Sequence, residues 1–304
     1  VSALHQPEPA VTIDHREGER VKELVVGVDG SNESRAALRW AASVAEAAGV
    51  PLRIVASWTH PGSSAFPGGA PLAPADEMDR STAGEVTACV EEELGAVPSF
   101  GAIEALRGPA AAAIVQTVQP ESTLVLGSRG RGGFAGLLLG SVSRECIEYA
   151  PCPVVIVRQD QPLGEGHGPI LVGKDGSPNA QRALEWAVAL HGAVGGELGA
   201  VYVWQANVSE VRPRLHERLR SGALAKVETW VEDEDHVHAF AVEGDPRAEL
   251  VDVATKTKAS VVVVGRRGGG RLKGLRVGGV TNYLMTNSPT TVAVIPPPSD
   301  LDAG

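Results

Sequence analysis

Short apolar runs recur along the chain, and most are followed by an amphipathic stretch. Residues 23–28, ELVVGV, end at Asp29-Gly30 and have the length and composition of a buried strand. In the segment that follows, Ala37, Trp40, Ala41, Val44 and Ala48 fall on one helical face, and Gly49 supplies the C-terminal stop. LRIVASW at 52–58 predicts a second strand, 78–94 a second helix, 100–106 a third strand and 109–119 a third helix. TLVLGS at 123–128 predicts a fourth strand, a helix starts near 141, and PVVIVR at 153–158 is the last strand. Strands alternating with helices imply an α/β fold with a doubly wound parallel sheet between two helical layers.

The pattern then repeats. LVVGVDGS at 24–31 returns as ILVGKDGS at 170–177, and Asp29/Asp175, Trp40/Trp186 and Trp58/Trp204 all stand 146 positions apart. Further on, Gly127/Gly265, Gly130/Gly268 and Pro151/Pro289 stand 138 apart, so the second copy is shorter between its matched Trp and Gly. A repeat of this size means two tandem domains. The first copy carries PGSSAFPGGAPLAP at 61–74 in the shortened region, which reads as a loop over the site or as linker. The predicted layout is a leader at 1–20, domains at 21–159 and 169–297, a linker at 160–168 and a tail at 298–304. The two last strands, 153–158 and 291–295, are the natural place for the copies to pair as an internal pseudo-dimer.

Composition narrows the function classes. Aromatic residues are 4% against 43% hydrophobic residues overall, so the cores must rest on Val, Ala and Leu, which suits parallel strands buried on both faces. The formal net charge of -10 argues against sequence-independent nucleic-acid binding, which needs a basic field. Cys89, Cys146 and Cys152 lack metal-ligand spacing and read as packing residues in a reduced, cytoplasmic protein. No apolar run is long enough for membrane insertion.

Chemistry concentrates in the glycine-rich segment GSRGRGGFAGLLLGSVS, 127–143. Gly127-x-x-Gly130, nine residues and Gly140-Ser141 let backbone N–H groups approach phosphate oxygens, and a helix N-terminus follows at once. The second copy keeps Gly265-x-x-Gly268 and nine residues but ends in Gly278-Gly279, so a glycine replaces the hydroxyl residue. Thr281 matches Ser143 and can compensate. Gly168–Lys174 fits the opening of a Walker A loop, but the intervening PILV reads as a strand and Asp175 stands where Ser or Thr is needed, so it is rejected.

The G-x2-G-x9-G-S spacing, the preceding GVDGS and the closing APCPVVIVR resemble the universal stress proteins, and the resemblance covers nearly the whole chain twice, as in the tandem type common in actinobacteria. It implies ATP as ligand, a divalent ion such as Mg2+ beside the phosphates, and pairing into a larger homodimer. Asp29, after Gly27, would contact adenosine, with Val55 and Ala56 beside the base. The segment Gly127, Ser128, Arg129, Gly130, Arg131, Gly132 and Gly133 would line ribose and phosphates, and Gly140, Ser141, Val142 and Ser143 would hold the phosphates. The matching second set is Gly173 and Asp175, then Gly265, Arg266, Arg267 and Gly268, then Gly278, Gly279, Val280 and Thr281.

Three functions follow from this pattern. One is an ATP-dependent regulator of stress response or growth, acting through a protein partner. A second is a slow ATPase or phosphotransferase. Neither 127–143 nor 265–281 holds an Asp, Glu or His to serve as general base, so no catalytic residue is assigned and hydrolysis is expected to be weak or absent. The third is a structural, partner-binding protein with a vestigial site.

Overall fold

The computed structural model describes residues 21–59, 74–130, 139–158, 162–206, 213–269 and 276–298. The leader, most of the 61–74 segment, residues 131–133 and the end of the tail lie outside them.

The first half runs β1 (Glu23–Gly27), α1 (Asn32–Ala48), β2 (Leu52–Trp58), α2 (Ala75–Leu94), β3 (Gly101–Arg107), α3 (Ala110–Thr117), β4 (Ser122–Gly127), α4 (Ser141–Tyr149) and β5 (Val154–Val157). The second repeats the order as β6 (Ile170–Gly173), α5 (Pro178–Val194), β7 (Leu198–Trp204), α6 (Pro213–Thr229), β8 (Val237–Glu243), α7 (Pro246–Lys256), β9 (Val261–Gly265), α8 (Gly279–Asn287) and β10 (Thr291–Ile295). The segment that fits a Walker A loop is therefore strand β6. The acidic run at 232–236 lies just past α6.

Local chemistry sets the helix ends. Ser31 and Ser177 cap α1 and α5, each hydroxyl accepting a backbone N–H three residues on at 3.2 Å. Pro178 occupies the first turn of α5, where a missing N–H costs nothing. Gly49 ends α1 in the left-handed region at φ 65°.

The strands form a single ten-stranded sheet in the order β3-β2-β1-β4-β5-β10-β9-β6-β7-β8. Every neighbour within a half is parallel, whereas β5 and β10 run antiparallel with Val154 opposite Val294 and Ile156 opposite Val292. The last strands thus join the halves across a pseudo-twofold axis. Side chains alternate along these strands into two cores. One core, under α1, α2, α5 and α6, takes Val155 and Ala293, and the other, under α3, α4, α7 and α8, takes Val154, Ile156 and Val294. Both cores contain residues of both halves, which makes the three-layer arrangement continuous.

Trp40 and Trp186 are 5% and 4% exposed, on helices α1 and α5 that pack together. The Trp186 indole N–H donates across the join to Thr123 Oγ1 at 3.3 Å.

Candidate functional site

In each half the strand order reverses between its first and fourth strands, so the chain leaves them in opposite directions and opens a crevice at their carboxyl ends. Gly27, Asp29, Val55, Gly127, Arg129, Gly130 and Gly140–Ser143 all line the first crevice. Gly173, Asp175, Val201, Gly265, Arg267, Gly268 and Gly278–Thr281 line the second.

Contacts at the crevice floor explain the glycines. A Cβ on Gly127 would lie 2.6–2.8 Å from the backbone of Glu33 and Ser34, so only glycine lets β4 end against the first turn of α1. A Cβ on Gly130 would lie 2.4 Å from Asp29 Oδ2, and one on Gly268 2.3 Å from Asp175 Oδ2. The loop backbone thus passes directly over each aspartate. Those carboxylates are held in place. Asp29 Oδ1 accepts from the Ser31 N–H and hydroxyl at 3.0 and 2.6 Å. Asp175 accepts the Ser177 N–H on Oδ1 at 2.9 Å and the Gly269 N–H on Oδ2 at 2.8 Å.

Opposite each aspartate a helix presents its N-terminus. α4 and α8 begin at Gly140 and Gly278, and neither cap residue makes a side-chain cap bond. Their first N–H groups carry the positive end of the helix dipole. The hydroxyls of Ser143 and Thr281 face inward instead, each donating at 2.8 Å to the carbonyl of Gly127 or Gly265, which locks the helix onto the strand end. Such an arrangement suits an anionic group on the amides, with a carboxylate on the other side to accept hydroxyl donors.

The two crevices differ in extent. The first, about 900 Å³, continues between β2 and α2 past Trp58, Met78, Thr82, Val86 and Cys89. The second, about 310 Å³, has no lining residue from α6 among the described residues. Helix α6 aligns on α2 through the buried pairs Val86/Ala223 and Val90/Val227. By that alignment Lys226 and Trp230 replace Cys89 and Glu93, and the strand offset that pairs Trp58 with Trp204 puts Tyr202 in place of Ala56. Tyr202 and Trp230 meet edge to face at 5.1 Å, with the Lys226 ammonium 5.2 and 5.1 Å from their centroids. Trp230 also lies against the Asp175-Gly176 turn, where a Cβ on Gly176 would sit 2.6 Å from its ring. In the first half Glu93 instead pairs with Arg35 at 2.7 Å and with Arg39, and the Arg35 hydrogen bond holds its carboxyl below the usual range.

A second exchange sits one residue before each aspartate. Val28 is core, whereas Lys174 is buried at 3% exposure and bonds the Gln181 side chain. Burial pulls its ammonium below the usual lysine pKa. Of the cysteines, Cys146 and Cys152 are buried and pushed up to about 12 by desolvation, which fits packing residues, while Cys89 borders the first crevice.

Two residues assigned to the sites from sequence face elsewhere. Ser128 is 6% exposed and does not line the first crevice; its carbonyl accepts the Gly140 N–H at 2.8 Å. Arg266, its counterpart, is 8% exposed, and its guanidinium crosses the join to the Glu148 carbonyl at 3.3 Å and to that of Ala150. Successive residues leaving a strand point to opposite sides, so Arg267 lines the crevice and Arg266 turns from it. Arg131, Gly132 and Gly133 lie outside the described residues. Ala56 does line the first crevice, on the α2 side. Sequence reasoning missed the far wall, Ala110 and Ile114 in the first half and Pro246 and Leu250 in the second. Their position in the first turns of the third helix of each half was the available signal.

A tandem α/β protein with one anion-suited crevice per half is the class that fold and site define. The universal stress protein family model matches residues 20–158 and again 167–296, and the chain belongs to that family. A universal stress protein of Mycolicibacterium smegmatis is 29% identical over 287 residues, covering 90% of this chain and 97% of that one. A universal stress protein of Mycobacterium tuberculosis is 31% identical, covering 86% of this chain and 92% of its own. Among solved structures, a universal stress protein of Archaeoglobus fulgidus superposes with a TM-score of 0.63 at 22% identity, covering 91% of this chain and 98% of that one.

Proposed function

We propose that the chain binds an adenine nucleotide, ATP in the first instance, in each crevice and acts as a nucleotide-dependent regulator in the cytoplasm. The observation that carries this reading is the duplicated pairing of a fixed aspartate with an uncapped helix N-terminus across a glycine cradle. An aspartate that accepts from ribose hydroxyls and amides that donate to phosphates fit the two ends of a nucleotide. Val55 and Val201, at the ends of β2 and β7, offer an apolar wall for the base. Among the described residues no three His, Cys, Asp or Glu side chains gather as a metal site. A Mg2+ would therefore be held chiefly by phosphate oxygens and water.

Hydrolysis is slow or absent on this reading. Apart from the aspartates, the acids lining the first crevice, Glu85 and Glu92, sit on α2, away from the α4 amides, and among the described residues the second is lined by no other acid. The family resemblance also suggests that chains pair as homodimers. The test is to purify the protein without added nucleotide, denature it, and identify and count what is released. ATP in both crevices is the expected result; no nucleotide released and none taken up on titration with ATP and Mg2+ refutes the reading.

A further inference from the structure

We infer that the two crevices are energetically coupled through α4 and α8, with Arg266 and Arg158 as the positioning residues; this rests on the nucleotide-binding reading above. The observation is a circuit of hydrogen bonds that joins the start of each helix to the end of the other.

From the second crevice, the Gly278 N–H at the start of α8 donates to the Arg266 carbonyl at 2.8 Å. The Arg266 side chain then reaches the carbonyls of Glu148 and Ala150, at the end of α4. From the first crevice, the Gly140 N–H at the start of α4 donates to the Ser128 carbonyl at 2.8 Å, and the Ser128 N–H donates to the Val157 carbonyl at 3.1 Å. The next residue, Arg158, bonds the Met285 carbonyl in the last turn of α8. Each helix therefore has its N-terminus at one crevice and its C-terminus held by an arginine from the loop or strand end that supports the other.

The electrostatics have the right sign. Carbonyls of a last helical turn lack partners within the helix and carry the negative end of its dipole, so a guanidinium there is favourable. A phosphate on the opposite end loads the same dipole, so the two contacts share one rigid helix of nine residues. The link from the second crevice is doubled. Arg276, two residues before Gly278, stacks on the ring of Tyr149, the last residue of α4, at 4.5 Å. Its carbonyl also accepts from Arg267, a crevice residue, at 3.3 Å.

Filling one crevice fixes its loop, and through the arginine fixes the far end of the helix that serves the other, so the second nucleotide meets a better ordered site. Coupling of this kind is reciprocal.

The test uses the full chain and ATP with Mg2+ in equilibrium titrations. Gly268→Val blocks the second crevice and Gly130→Val the first, so each remaining affinity is read with its neighbour empty and compared with the intact protein. The expected result is that occupancy of one crevice tightens the other by about fivefold or more. Arg266→Met and Arg158→Met should each bring that factor below about twofold while both crevices still fill. Arg266→Lys, which keeps the charge and one donor, should restore part of it. Nucleotide uptake with independent sites, or coupling unchanged in both methionine variants, overturns the inference and leaves the nucleotide reading standing. No uptake at either site overturns both.

Discussion

The two halves share a backbone plan and differ in what fills the space beside it. In the first, Val28, Ala56 and Cys89 leave a crevice that runs on beneath α2. In the second, Tyr202 and Lys226 with Trp230 take the corresponding positions, Lys174 joins the lining, and the crevice lies among the strand ends, α5, α7 and α8. What both retain is the aspartate, the glycine cradle and the helix N-terminus. Duplication has thus kept the geometry suited to an anion while changing the surrounding walls, so on the proposed reading the halves are expected to bind the same phosphate-bearing group with unequal selectivity for the rest.

The largest effects should come from the glycines, and they separate fold from binding. Gly127→Ala places a methyl against the α1 backbone, which cannot swing aside, and should cost about 3 kcal/mol in urea denaturation. Gly265→Ala meets Asn179 Cβ at 2.8 Å and the Arg267 carbonyl at 2.9 Å, so a similar cost is expected there. Gly130→Val and Gly268→Val meet mainly an aspartate side chain, which can give way by breaking its turn hydrogen bonds rather than by moving backbone. Those variants should stay folded and lose one nucleotide per chain, with affinity at the altered crevice down at least tenfold, or about 1.4 kcal/mol. Equal loss of stability in all four would show that the Gly130 and Gly268 contacts are only structural.

A smaller effect is expected at Lys174. Its pKa is lower folded than unfolded, so its charged form opposes folding below the folded pKa. That penalty fades as pH rises through the folded pKa toward the ordinary lysine range. Lys174→Val, which copies Val28, should raise stability at neutral pH by about 1 kcal/mol. It should also flatten the rise in melting temperature between neutral pH and pH 10. A loss of stability would mean that the Gln181 hydrogen bond outweighs the cost of burying the charge.

The sequence carried much of this architecture because the signals are local. Runs such as LRIVASW and the helix stop at Gly49 are set by near neighbours, and β2 and α1 form where the pattern places them. The aspartate and glycine positions were legible too, since the repeat marks them twice. What could not be read is whatever depends on the other half. Arg266 looks like a phosphate ligand in a basic loop, yet it faces the end of α4, a segment more than a hundred residues away. Within the second half, the filling of the crevice depends on Tyr202 and Trp230 meeting from separate elements. Neither the period of the pattern nor the motif spacing records such a meeting.

The hydroxyl that the second proposed phosphate site lacks can be restored. Gly279 lies at the first position of α8, and a Cβ there meets nothing within 4 Å, so Gly279→Ser should fit without rearrangement. One added hydrogen bond to phosphate should tighten the second crevice by about 1 kcal/mol, or roughly fivefold. Ser141→Gly should weaken the first by a similar factor. If titration shows both changes to be silent, the backbone amides alone hold the anion and the sequence difference between the copies has no bearing on affinity.

The smallest effect tests the join itself. Thr123 pairs with Leu24 and Val261 with Ile170 in the sheet, so they are equivalent positions. The hydroxyl of Thr123 accepts from Trp186, while the buried Trp40 indole N–H has no partner among the described residues. Val261→Thr offers Trp40 the acceptor that Trp186 already has. The new bond is worth about 1 kcal/mol, from which the cost of burying a hydroxyl must be subtracted, so a net gain of about 0.5 kcal/mol is expected. Thr123→Val should cost about 1 kcal/mol or slightly more, because it leaves the Trp186 indole N–H buried and unsatisfied as well. The pair is informative together. If both substitutions destabilise, the pseudo-twofold does not carry the Trp186 geometry over to Trp40, and the two helix faces at the join are packed differently despite their matched sequence positions.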